Sequence, residues 1–118
     1  MSLYQKLLRV QTQLKAPKNQ YNEFGGYHYR SLEDIVEAVK PLLAKENLVM
    51  TLSDELVFIG DRYYIKAIVT VIDAETGKKH EVNGFAREAE DKKKMDVSQI
   101  TGAASSYARK YALNGMFA

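Results

Sequence analysis

The 118-residue chain lacks cysteine and tryptophan and has only two prolines. Without cysteine it has neither a disulfide framework nor a metal site built on thiolates. No apolar run approaches the ~20 residues that a helix needs to cross a bilayer, and no signal peptide opens the chain. These absences predict a cytoplasmic protein with no membrane partner.

The motifs of common enzyme chemistry are also missing. The chain has no Walker-type phosphate loop for ATP, and its acidic residues form no obvious constellation for two-metal catalysis. No serine, histidine and aspartate stand in a recognisable motif, and His28 has no second candidate metal ligand near it in sequence. We therefore expect no catalytic residue, no metal and no cofactor, and we predict that the protein is not an enzyme.

What the chain does have is a mild positive charge and many tyrosines. Its 17 basic and 15 acidic side chains give a net charge of +2, too small to indicate nucleic-acid binding by itself. An electrostatic footprint must come from clustering, and many of the eight tyrosines lie near arginine or lysine. The length and the 46% hydrophobic residues predict one globular domain over residues 1–118.

The spacing of apolar residues changes period along the chain. Helical spacing covers residues 2–14 and a segment from Ser31 to about Asn47, and a two-residue period then continues to about residue 87. The predicted strands are Leu48–Ile59, Arg62–Asp73 and Lys78–Glu88. A last helix follows. This order predicts an α+β fold in which helices pack on a small three-stranded antiparallel sheet, with Ile65, Val69 and Val71 facing the helices.

The last helix has two different faces. Asp96 and Gln99 fit a capping box at its start, and Gly115 fits a C-cap at its end. The residues predicted to form its apolar, core-facing stripe are Val97, Ile100, Ala104, Tyr107, Ala108 and Tyr111. The other face carries Gly102, Ser105, Ser106, Arg109 and Lys110, where two cations could receive a phosphate. The alternative is an ordinary amphipathic helix with a solvated basic end.

A second candidate segment, residues 17–30, interleaves aromatic and basic side chains. Its members are Lys18, Tyr21, Phe24, Tyr27, His28, Tyr29 and Arg30. Single-stranded nucleic acid needs rings that stack on bases and cations that follow phosphates. The alternative is that Tyr27 and Tyr29 form a short strand with one ring in the core.

Three further cations lie in the predicted strands, and a lysine run precedes the last helix. Arg62, Lys66 and Arg87 are candidates to line a groove, or else ordinary solvated residues of the sheet. Lys92, Lys93 and Lys94 read as a solvated surface run, or as a flexible arm for a phosphate backbone.

Two blocks of sequence resemble the ERF (essential recombination function) family of phage proteins. They are QITGAASSYARKYALNGMF near the end and GGYHYRSLEDIVEAVKPLL at 25–43, and the resemblance extends from about Asn19 to Phe117. The first block matches the family pattern at Gly102, Ser106, Tyr107, Arg109, Lys110, Tyr111 and Leu113. The resemblance implies a β-β-β-α core like that of ring-forming single-strand annealing proteins.

The resemblance also implies a function. Such a protein binds and anneals single-stranded DNA without ATP in phage homologous recombination, as a ring or filament in the cytoplasm of a bacterial host. Its DNA-binding residues here would be Arg109 and Lys110, then Arg30, Tyr27 and Tyr29, then Arg62, Lys66 and Arg87. Because the chain ends almost where its last helix ends, we expect a truncation after residue 118, and a missing C-terminal region that contacts a host or phage single-strand-binding protein.

Other interpretations remain open at this point. A double-stranded RNA-binding module also has the order helix, three strands, helix, although the aromatic segment fits it poorly. A pure assembly domain is the other alternative, because Leu3, Leu7, Val10 and Leu14 follow a near-heptad spacing. That stripe either docks on its own domain or contacts a neighbouring subunit.

Overall fold

The computed structural model describes residues 1–15, 18, 20–87 and 97–118, apart from the side chains of Tyr29 and residues 97–101. The helices are α1 (Leu3–Gln13), α2 (Leu32–Lys45) and α3 (Val97–Phe117). The strands are β1 (Gln20–Asn22), β2 (Tyr27–Tyr29), β3 (Leu48–Ile59), β4 (Arg62–Asp73) and β5 (Lys79–Arg87). The predicted α+β fold is confirmed, with a three-stranded antiparallel sheet in the order β3-β4-β5 packed with helices.

The described residues divide into two compact units. The first contains Met1–Met50, Val71–His80 and Phe117. The second contains Thr51–Thr70, the described part of Glu81–Met116, and Ala118. The helices α1 and α2 and the β1–β2 hairpin belong to the first unit, and the second contains most of the three-stranded sheet and nearly all of α3.

In the first unit, both helices begin at capping boxes. The Ser2 hydroxyl accepts a hydrogen bond from the Gln5 backbone N–H, and the Gln5 side chain accepts one from the Ser2 N–H. Ser31 and Asp34 make the same reciprocal pair at α2, as predicted from their spacing. Both bonds satisfy N–H groups that a helix start would otherwise leave unpaired. The α2 helix runs through Pro41 to Lys45.

The core of the first unit includes apolar side chains from α1 and α2, which are in contact. They are Leu3, Leu7, Val10, Ile35, Val39 and Leu43. The heptad-like residues Leu3, Leu7 and Val10 of α1 are therefore buried within the chain. Removing these surfaces from water stabilises the unit by about 25 cal/mol for each Å² of apolar area.

A buried ion pair ties α1 to the end of β4 in this unit. Lys6 and Asp73 are 6% and 1% exposed, and the Lys6 Nζ lies 3.1 Å from an Asp73 oxygen. A hydrogen bond from the Glu75 backbone N–H lowers the pKa of Asp73, burial opposes this, and Lys6 lowers it further. Sequence reasoning missed this pair, because 67 positions separate the two residues.

In the second unit, β4 alternates between two sides of the sheet. Ile65, Ala67 and Val69 are buried on one side of the sheet. Arg62, Tyr64 and Lys66 are half-buried on the other side. The predicted core positions Ile65 and Val69 are confirmed, as is Val71 in the first unit. Gly60 adopts a left-handed φ of 65° in the turn between β3 and β4, a conformation that glycine adopts without steric strain.

The helix α3 packs on β5 through small residues. A Cβ at Gly84 would collide with the main chain of α3 at Ala108 and Ala112. The close approach of the two backbones is therefore possible only because Gly84 has no side chain. Ala104, Ala108 and Ala112 are all buried. The four-residue spacing of these alanines is the actual core stripe of the helix.

Two predictions about α3 were wrong. Tyr107 and Tyr111, which we assigned to the core, are 56% and 54% exposed, and the larger buried side chains near the helix end are Leu113, Met116 and Phe117. Gly115 does not end the helix, which continues to Phe117. The predicted cap at Asp96 lies outside the described residues.

Candidate nucleic-acid interface

The sheet places three of the predicted cations on one side. On β5, Gly84 contacts α3, so Arg87, three positions later, points to the opposite side of the strand. On β4, Arg62 and Lys66 alternate with the buried residues and also lie on the side away from α3. We call this side, with Arg62, Tyr64, Lys66, Phe85 and Arg87, the outer face of the sheet. The alternation of the strands alone brings these residues together.

The outer face has mixed charge. Lys66 Nζ lies 3.8 Å from the Glu55 carboxylate of β3, and the Lys66 side chain is only 27% exposed. Glu81 is exposed on β5, six residues before Arg87 and on the same side of the strand. An exposed ion pair of this kind contributes about 0–1 kcal/mol. These carboxylates would offset part of the attraction that Lys66 and Arg87 exert on a phosphate.

On the other side of the sheet, Arg109 of α3 binds Asp54 of β3. The Arg109 Nε and terminal nitrogen donate to the two Asp54 oxygens at 3.0 and 3.1 Å, and the Ser105 hydroxyl donates to the second oxygen at 2.6 Å. Burial acts to raise the pKa of Asp54, but the hydrogen bonds from Arg109 and Ser105 outweigh it and hold that pKa below its ordinary value. Arg109 therefore clamps the helix to the sheet.

Next to this clamp, the exposed surface of α3 carries two tyrosine rings. The centroids of Tyr107 and Tyr111 are 6.4 Å apart, and their planes are inclined by 27°. Lys110, which lies between the two tyrosines in sequence, is half-buried. The sequence of α3 from Val97 to Phe117 contains two cations and no acidic residue. This surface, formed by Ser106, Tyr107, Lys110, Tyr111 and Asn114, is called the tyrosine surface below.

Sequence reasoning missed the tyrosine surface because it assigned apolar character to both rings. The signal that could have corrected the assignment is the alanine series Ala104, Ala108 and Ala112. A helix has room for only one buried stripe against a single sheet, and the close approach at Gly84 requires that stripe to be made of small residues. Tyr107 and Tyr111 then fall outside it.

The aromatic segment contains the β1–β2 hairpin, which belongs to the first unit. Tyr27 is 52% exposed, and the Asn22 side-chain nitrogen donates a hydrogen bond to its hydroxyl at 3.0 Å. Tyr21 meets His28 edge to face at 4.9 Å between ring centroids. The exposed Arg30 follows β2. The predicted strand at Tyr27 and Tyr29 is thus present, with the Tyr27 ring outside the core and the Tyr29 side chain not described.

The predicted binding residues therefore fall into three places. Tyr27, Tyr29 and Arg30 belong to the hairpin region of the first unit. Within the second unit, Arg109 and Lys110 lie on α3, whereas Arg62, Lys66 and Arg87 lie on the outer face of the sheet. The lysine run 92–94 lies outside the described residues. A single DNA strand bound along α3 of one copy would therefore not touch the outer face of that same copy.

Two kinds of feature are absent from the described residues. None of the helices within the described ranges is long and apolar enough to cross a membrane. Likewise, no cluster of three or more histidine, cysteine, aspartate or glutamate side chains that could hold a metal ion occurs in this part of the chain.

The fold and these surfaces define a class: a small α+β domain whose terminal helix presents rings and cations beside a three-stranded sheet. The chain belongs to the ERF superfamily, whose family model matches residues 3–118. It is 58% identical over 114 residues to the "Essential recombination function protein" of Salmonella phage P22. That alignment covers 97% of this chain and 54% of the phage P22 protein, so the chain spans about half the length of this curated relative. No solved structure matches the chain.

Proposed function

We propose that this chain is the DNA-binding core of a phage recombination protein that anneals complementary single strands without ATP. The observation that carries the proposal is the 58% identity, over nearly the whole chain, to a phage protein named for its essential function in recombination. The exposed rings and cations of the second unit support it, because they offer the two kinds of contact that single-stranded DNA requires.

The mechanism needs no fuel. Cations that neutralise the phosphates release counterions when a strand binds, and this release drives binding. Base pairing with the complementary strand then supplies the free energy of the product. The protein only has to hold one strand extended with its bases accessible. A domain that carries a net charge of +2 can do this if many copies act together.

We propose that the copies assemble into a ring or a filament. Each copy then contributes a few weak contacts to the same strand, and effective concentration multiplies them into useful affinity. The site of action would be the cytoplasm of a bacterial host. A host or phage single-strand-binding protein would be engaged through sequence beyond these residues, in the part of the phage P22 protein that the alignment does not cover.

Of the two cationic surfaces in the second unit, we propose α3 as the main DNA contact. Its sequence has no acidic residue, whereas the outer face pairs Lys66 with Glu55. Arg109 is itself paired with Asp54 of β3, so the preference for α3 rests on the two tyrosine rings that lie beside its cations. The outer face and the hairpin would make secondary contacts.

Charge-neutral variants test this assignment. Fluorescence anisotropy of a labelled oligodeoxythymidine gives the affinity of the parent, of Lys110→Gln and of Lys66→Gln/Arg87→Gln at several salt concentrations. We expect Lys110→Gln to weaken binding and to reduce the slope of log K against log salt by about 0.7, the value for one phosphate contact on a single strand. The double variant Lys66→Gln/Arg87→Gln should lose less binding affinity for each charge that is removed.

The matched controls are Lys40→Gln and Lys40→Gln/Lys45→Gln, which remove the same charge from exposed positions of α2. They should retain the parent's salt slope. If the controls lose as much affinity as the test variants, only net charge matters, and the assignment of the DNA contact to α3 is refuted. A parent that does not bind at low salt would refute the proposed function.

A further inference from the structure

The tyrosine surface carries large aromatic area in an otherwise polar setting. Tyr107 and Tyr111 are each more than half exposed, and they are the large hydrophobic side chains that α3 exposes within its described part. Their neighbours on the same surface, Ser106 and Asn114, are exposed polar residues. Aromatic rings that stay in water forgo the stabilisation of burial, so their exposure favours a role in binding.

The geometry of the pair suits a stack of flat rings. The residues are four apart on one helix, and this spacing sets both rings on the same side one turn apart. Their planes are inclined by only 27° at a centroid distance of 6.4 Å. The two rings therefore present nearly parallel faces, whereas edge-to-face pairs such as Tyr21 and His28, inclined by 69°, do not.

The surroundings of the rings favour nucleic acid over a second protein surface. Lys110 lies between the two tyrosines in sequence, Arg109 precedes it and is paired with Asp54 of β3, and α3 itself contributes no carboxylate. Gly102, one turn before Ser106, has no neighbour among the described residues within 4 Å of where a Cβ would stand, so no described side chain covers that side of the helix. The exposed end of the β3–β4 hairpin differs, because its exposed apolar residues Leu56, Phe58, Ile59 and Tyr63 are typical of a protein contact.

We propose that Tyr107 and Tyr111 form a stacking platform for the bases of a single strand, with Lys110 placed to meet the adjacent phosphate. The inference rests on the proposed function and adds to it the residues that contact bases. Stacking on an aromatic ring is tolerant of sequence, because every base has a π-face. The platform would hold bases in order without reading them, as annealing of any sequence requires.

A single tryptophan reports on this platform. The parent chain has no tryptophan, so Tyr111→Trp introduces one reporter at the site. Its fluorescence is titrated with oligodeoxythymidine and with an abasic strand of the same length and charge. Stacking predicts quenching by oligodeoxythymidine and little change with the abasic strand, because the abasic strand offers phosphates and no bases.

Substitutions of the rings supply the second readout. Tyr107→Ser and Tyr111→Ser should each weaken binding of oligodeoxythymidine by about tenfold and leave the salt slope unchanged, because no cation is removed. Affinity for the abasic strand should not change. Tyr107→Phe and Tyr111→Phe should bind like the parent, since they keep the ring. Tyr4→Ser, at a 61% exposed tyrosine of α1, is the matched control and should also bind like the parent.

Each other outcome decides against the platform. If the strand binds with full affinity but neither quenches the tryptophan nor responds to the serine substitutions, the inference fails and the proposed function stands. If the tryptophan signal follows protein concentration without DNA, the rings belong to an interface between copies. If no variant and no parent binds the strand, both proposals fail together.

Discussion

At the residue scale, the guanidinium of Arg109 is a candidate for two roles, a DNA contact and a structural ion pair. It matches the basic pair by which the sequence resembles ERF proteins, and it also makes a bidentate ion pair with Asp54. A phosphate would have to share or displace that carboxylate. Loss of DNA binding in an Arg109 variant would therefore not distinguish a lost phosphate contact from a loosened helix, whereas Lys110 does not take part in this clamp.

Replacing Asp54 measures the clamp itself. We expect Asp54→Asn to lower the free energy of unfolding at pH 7 by about 1 kcal/mol, a small effect because solvent screens two side chains that are each about one-third exposed. The folded-state pKa of Asp54 is depressed, so its contribution is present above the unfolded value of 3.8 and is lost as pH falls through the folded value.

Urea denaturation at pH 7 and at pH 3 checks this prediction. The difference between parent and Asp54→Asn should shrink at the lower pH, because below 3.8 the Asp54 carboxyl of the unfolded chain takes up a proton before that of the folded chain does. Asp61→Asn, at an exposed position in the turn after β3, is the control and should change little at either pH. Equal stability of the parent and Asp54→Asn at both pH values would mean that the clamp adds nothing to folding.

At the scale of elements, sequence patterns predicted the strands well and the faces of α3 poorly. The two-residue period and the glycine turn determined β3 and β4 to the residue, because alternation and turn chemistry are local properties. The buried side of α3 depends on what β5 presents to it, and Gly84 is distant in sequence. The Lys6–Asp73 and Arg109–Asp54 pairs escaped prediction for the same reason, since both join distant segments.

The contact between α3 and β5 can be tested with two glycines that differ in surroundings. Gly84→Ala would push a Cβ into the main chain of α3, so we expect a loss of about 1–3 kcal/mol in stability, typical of overpacking. Gly102→Ala adds a methyl group to an exposed helical position with no described atom within 4 Å, and should stabilise by up to about 1 kcal/mol. Thermal and urea unfolding measure both.

Opposite signs for these two substitutions are the essential result. If Gly84→Ala unfolds at the same urea concentration as the parent, α3 does not pack as closely on β5 as the structure shows. If Gly102→Ala destabilises, the exposed side of α3 is covered. The stacking platform would then need to be reconsidered, because Gly102 lies on the same side of the helix as Ser106.

At the scale of the whole molecule, the positive charges are dispersed, so DNA binding would depend on where the cations lie and not on the net charge. The cations lie on α3, on the outer face of the sheet and near the hairpin, and the net charge is only +2. Composition alone therefore could not locate a binding surface. The family was recognisable because two blocks of residues match it, and the sides of the sheet and helix became assignable only with the structure.

The most direct measurement is the rate at which two complementary labelled DNA strands anneal in the presence of this chain without any nucleotide. We expect the parent to accelerate annealing, Tyr107→Ser/Tyr111→Ser and Lys110→Gln to lose much of the acceleration, and Lys40→Gln to keep it. Addition of ATP should change nothing. A parent that binds single strands yet leaves the annealing rate at its spontaneous value would contradict the account.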